Sequence, residues 1–124
     1  MQRIGLGLTL GLGIAIGAVG ATWAQGPAAI MGSRAVDWKD MKARTTKIGE
    51  YRQVFQDRTA TLDELELHVT TLLPGQSPHA PHQHPDEEVL IIQKGTVETF
   101  LGDRTQVVGP GSVIFQAANQ PHAI

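Results

Sequence analysis

From residue 49 onward the sequence predicts an all-β sandwich or barrel, on three observations. Short segments alternate apolar with polar side chains, which is the period of a half-buried strand. Turns containing Gly and Pro recur roughly every ten residues. No long amphipathic helix and no internal repeat is present.

The chain before residue 49 reads differently. Met1 to Arg3 carry one positive side chain plus the amino terminus, and Ile4 to Ala21 run without a charge. Small residues follow in Gly20-Ala21-Thr22-Trp23-Ala24. This is the pattern of a secretory signal peptide, cleaved after Ala24 or Ala21. The run is nearly long enough to span a bilayer, but its glycine content favours removal over a stable anchor. Residues 1–24 are therefore expected to be a signal peptide and the protein to be secreted or periplasmic. No stable membrane span is expected after cleavage. Gln25 to Gly32 are small or turn-forming, and residues 25–48 read as a linker and N-terminal arm. Within that arm, Asp37-Trp38-Lys39-Asp40-Met41 fits either one helical turn capped by Asp37 or the entry to a strand.

Residues 49–124 read as the β domain. Tyr51 to Phe55 alternates, and Leu65-Glu66-Leu67-His68-Val69-Thr70 does so strictly before Pro74-Gly75 stops it. Glu88 to Gln93 is an apolar run broken by Lys94-Gly95, and Thr96 to Leu101 resumes as a strand. That pair reads as a hairpin. Gly102-Asp103 is a turn before the strand Thr105 to Val108. Gly109-Pro110-Gly111 then precedes Val113-Ile114-Phe115. Pro121-His122-Ala123-Ile124 reads as the start of one more strand, so either the sequence is a fragment or the domain lacks its last strands, and an unclosed barrel would leave an edge with unpaired backbone groups.

The chain has 124 residues, enough for one domain. About 100 remain after cleavage, a length that is marginal alone, so a homodimer would help. Loss of Arg3 leaves nine Lys and Arg against twelve Asp and Glu, a net charge close to −3. With no basic stripe, nucleic acid is not an expected partner. The absence of cysteine removes disulfides and thiolate metal ligands, which leaves nitrogen and oxygen donors.

Those donors are concentrated. Three of the five histidines, His79, His82 and His84, fall close together. On an extended strand His82 and His84 point to the same side, and Glu88 shares their parity whereas Glu87 does not. Pro85 and Asp86 bend the chain between them. Three such side chains on one side of a sheet can hold a divalent metal. A fourth would come from a distant strand, where His122 is the only histidine beyond this cluster. His68 and His79 read as solvated polar residues, with the alternative for His79 that it lies just outside the ligand set and orients a ligand or handles a proton.

The stretch Gly75-Gln76-Ser77-Pro78-His79-Ala80-Pro81-His82-Gln83-His84-Pro85-Asp86-Glu87-Glu88, continued to Gly95, resembles the first motif of the cupin superfamily. That motif is a glycine, a gap, His-x-His, three or four residues, Glu, six residues and Gly. Its gap is one residue longer here than in the commonest form. Gly109-Pro110-Gly111-Ser112-Val113-Ile114-Phe115 with Asn119-Gln120-Pro121-His122 resembles the second motif. The asparagine that normally closes that motif falls past residue 124. The resemblance spans residues 61–124, about half the chain. It implies a jelly-roll β-barrel and one divalent ion (Fe, Mn, Ni, Cu or Zn) held by His82, His84, Glu88 and His122. It also assigns Gly75, Gly95 and Gly111 to turns, and Leu90 and Ile92 to the barrel lining.

Four protein ligands leave coordination positions for a small-molecule ligand or substrate carrying oxygen atoms. A redox metal would make the protein a dioxygenase-like oxidoreductase acting on a chelating, oxygenated compound. A non-redox metal would make it an isomerase or hydrolase. A binding module that holds the metal or a small ligand without turnover is the alternative from a different class, since fold does not decide function.

Overall fold

Apolar alternation in the first half of the domain builds one sheet. The computed structural model describes residues 29–124, and the segment read as a signal peptide lies outside them. Trp38–Asp40 form a single 3-10 turn, with the Asp37 carboxylate accepting from Lys39 N–H at 3.1 Å. Of the two readings for this segment, the helical turn is the one adopted. Strand β1 (Arg44–Thr46), inside the stretch read as an arm, runs antiparallel to β2 (Gly49–Asp57). In turn β2 pairs with β3 (Leu65–Leu72). Gly49 sits at φ 144°, and a Cβ there would collide with the Thr71 carbonyl, so only glycine lets β2 start this close to β3. A register shift between Gln53 and Phe55 moves Phe55 opposite Leu67, onto the apolar face, while Gln53 stays opposite His68.

The second half forms two further sheets. Strand β4 (Glu88–Ile91) pairs antiparallel with β7 (Val113–Gln116). Strand β5 (Val97–Leu101) lies between β6 (Arg104–Val108) and β8 (His122–Ala123). The hairpin expected between β4 and β5 is therefore not formed. Its physical reason is visible in the ladder: Ile92 N–H donates to Ser112 O at 3.0 Å and Gly111 N–H donates to Ile92 O at 2.7 Å. These bonds extend the β4–β7 pairing past Ile91, so the chain leaves for the other sheet at Lys94-Gly95. Gly111, at φ 81°, makes the tight return into β7 in a conformation that L side chains rarely adopt, and Gly75 and Gly95 share that region.

The all-β expectation holds, with strands arranged as a jelly-roll-like sandwich. The expected barrel does not close: among the described residues the strands fall into separate sheets, β1-β2-β3, β4-β7 and β6-β5-β8. The final strand is not left unpaired, however. Leu101 lies opposite His122 and Phe100 opposite Ala123. Among the described residues the buried apolar ones are Ile92, Ile114 and Ala123, and Thr99, also buried, donates its hydroxyl to Ala123 O at 3.0 Å. Leu90 and Ile92, expected to line the interior, do so: Leu90 is half-buried opposite Ile114, and Ile92 is buried.

Candidate metal centre

The site is assembled by one backbone pairing. His82 and His122 form an isolated antiparallel bridge, exchanging N–H···O bonds of 3.1 and 2.8 Å. Directly opposed residues in such a pair present their side chains to the same face. The ring centroids of His82 and His122 are 4.7 Å apart. His84, two residues on, brings its ring to 5.2 Å from His82 and 4.7 Å from His122. A second tie fixes His84: Asn119, at φ 58°, donates its backbone N–H to His84 O at 2.7 Å. The loop between β7 and β8 thus holds both motifs in place. Ring nitrogens of His82, His84 and His122 can all lie within 4.8 Å of one another, a spacing compatible with binding a metal ion.

Backbone carbonyls set which nitrogen of two rings faces inward. His122 Nδ1–H donates to Gln120 O at 2.8 Å, and His84 Nδ1–H donates to Asp86 O at 3.0 Å. A carbonyl can only accept, so Nδ1 carries the proton in the neutral ring and Nε2 keeps its lone pair. His122 is 1 % exposed, and its Nε2 is buried without a hydrogen-bond partner. The Glu88 carboxylate stands 3.4 Å from His84 Nε2 and 3.9 Å from His122 Nε2. Lone pairs and a carboxylate converge with no donor between them. Such an arrangement is repulsive unless a cation, either a proton or a metal ion, sits in its midst. The residues present therefore fit a divalent ion. Carbonyl-held imidazoles are also the usual outer support of metal-bound histidines.

Desolvation by its surroundings lowers the pKa of His82 from the ordinary value, and the neighbouring His79, His122 and His84 lower it further. The shift favours the neutral ring, which is the form that can donate a lone pair. The lining is mixed. Leu90 and Ile114 sit beyond Glu88 on the inward face of β4 and β7, while His82 is exposed.

Of the residues expected at the site, His82, His84 and His122 come together as a group, and Glu88 reaches His84 and His122. Glu87 is exposed and outside the cluster, as its parity required. His68 lies elsewhere, paired with Glu66 at 2.9 Å and stacked on Tyr51. His79 is exposed and lies just outside the group, with its ring 3.9 Å from that of His82. Sequence reasoning missed Gln116. It stands opposite Glu88 in the β4–β7 register and is buried on the same face. Its alternation with Val113 and Phe115 was visible, but its partner strand was not.

Comparison with protein families finds that residues 68–124 match the model described as a cupin domain. Comparison with curated proteins and with solved structures returned no match.

Proposed function

The chain belongs to the cupin superfamily, and from that premise we propose that it is an exported protein whose His82, His84, His122 and Glu88 hold one divalent ion (Fe, Mn, Ni, Cu or Zn) and act on a chelating, oxygenated small molecule. The observation that carries this reading is the buried, unpartnered Nε2 of His122 facing the Glu88 carboxylate. A redox-active ion would supply dioxygen chemistry there, and Zn would supply Lewis acidity. The chain's own residues do the rest. The Asp86 and Gln120 carbonyls hold the two rings in their metal-binding tautomer. Glu88 supplies negative charge to balance the ion. Leu90 and Ile114 give the inward face beyond Glu88 an apolar character, while the exposed edge of His82 leaves an approach for a ligand.

The same exposed edge favours a second reading, a binding module without turnover, because water reaches the site and is not excluded as a reaction would need. One comparison tests both. The full chain is loaded separately with Fe, Mn, Ni, Cu and Zn, and oxygen uptake is followed with a catechol, a flavonol or a diketone. Uptake by a redox-metal form, absent in the Zn form, supports the oxidoreductase. Turnover by the Zn form without uptake supports an isomerase or hydrolase. Metal bound with no turnover in any form supports the binding module. Failure to bind any of these ions rejects the metal centre itself.

A further inference from the structure

Gln116 is 3 % exposed, yet none of the side-chain hydrogen bonds among the described residues involves it. Its amide atoms are not among the fully buried unpartnered ones, so the carboxamide keeps a small contact with the concavities it borders and is free to take a partner there. Its position is specific. Gln116 stands directly opposite Glu88 on the inward face of the β4–β7 pair, and directly opposed side chains there lie about 5 Å apart. Glu88 turns its carboxylate to His84 and His122 and not to this amide. Gln116 also borders the open concavity onto which His84 and Glu88 face, as well as the cleft that His122 lines.

We propose that Gln116 is a positioning residue for the ligand of this centre, its Nε2 hydrogens donating to one oxygen of a carboxylate-bearing small molecule whose other oxygen reaches the ion. This rests on the metal-centre reading above. The chemistry of the surroundings selects the class. Glu88 and the Nε2 atoms of His84 and His122 are all acceptors, so the ion is the single attraction they leave for an anion. A ligand with a second oxygen needs a neutral donor beside them, and the Gln116 amide is such a donor on this face. An added carboxylate side chain would repel the ligand, and an apolar one would leave its oxygen unpaired.

The test uses the full chain loaded with Co(II), whose visible spectrum reports ligand binding, titrated with oxalate and separately with azide. Gln116→Met keeps the bulk and removes the donor. Its oxalate affinity is expected to fall about tenfold or more, as for loss of a hydrogen bond to a charged group. Co(II) affinity and azide binding are expected to stay within about twofold, because neither uses a second oxygen contact. Gln116→Glu keeps the length and is expected to weaken oxalate further. It also serves if the Met variant does not fold. Unchanged oxalate binding in either folded variant overturns the proposal. So does parallel loss of Co(II), azide and oxalate binding in both, which marks Gln116 as structural. Oxalate that fails to bind the Co(II)-loaded wild type overturns this proposal alone. A wild type that binds no Co(II) overturns the metal centre with it.

Discussion

His82 and His122 exchange both of their backbone hydrogen bonds, at 3.1 and 2.8 Å, although one lies in the first sequence motif and the other in the second. This bridge sets the distance between their rings, and through His84 and Asn119 it sets the rest of the cluster. The side chains do not have to find one another. The backbone delivers them, and their Nδ1–H bonds to main-chain carbonyls complete the orientation of His84 and His122.

Because Glu88 and not Glu87 faces the rings, the two glutamates should behave differently. Glu88→Gln is expected to lose most of the bound metal, a larger effect than the roughly 10- to 100-fold typical when an outer supporting residue is changed. Glu87→Gln should leave occupancy near that of the wild type, since Glu87 is exposed and, among the described residues, it is Glu88 whose carboxylate pairs with His84 and His122. Elemental analysis of both purified variants decides it. The opposite ranking would place the β4 register one residue off.

Core packing predicts a contrast within β7. Ile114 is 3 % exposed and lies opposite Leu90, whereas its neighbour Val113 is 65 % exposed. Ile114→Ala should cost about 2–5 kcal/mol, the range for emptying a packed aliphatic site. Val113→Ala should cost less than about 0.5 kcal/mol, as for surface changes generally. Urea melts of the two variants measure the difference, and equal midpoints would contradict the inward assignment of Ile114.

Tyr51 offers a clean optical titration, because it is the only tyrosine in the chain. Burial raises its pKa above 10.0, and the Glu66 carboxylate raises it further, while Arg44 opposes. The folded protein therefore holds this proton more tightly than the unfolded chain does. Stability from this group is fully present below pH 10.0 and is lost as the pH rises through the higher folded value. Near-ultraviolet absorbance of the phenolate should show a midpoint above 10.0 that moves down in Glu66→Gln. A midpoint unchanged by that substitution would remove Glu66 as a cause.

Export is expected to remove the apolar leader. Mass spectrometry of protein recovered from the cell envelope should show a chain starting at Gln25 or Thr22. A retained Met1 in the membrane fraction would instead mark the leader as an anchor.

By itself the sequence determined the all-β class, because period-2 alternation and Gly/Pro turns are local properties that each segment carries without its neighbours. It also singled out His82, His84, Glu88 and His122, since the first two are spaced two apart, Glu88 shares their parity, and His122 follows from the scarcity of histidine and the second motif. Tertiary structure alone decided which strand lies beside which. Both β4 and β5 looked able to pair with each other, yet β4 took β7, because a strand's two edges are chemically alike and only the global arrangement chooses between partners. That choice put Gln116 opposite Glu88, a neighbour that no local pattern could reveal. It also settled the chemistry of the rings. Spacing can name a histidine as a ligand, but which nitrogen is free depends on whether a carbonyl such as that of Asp86 or Gln120 stands behind the other one.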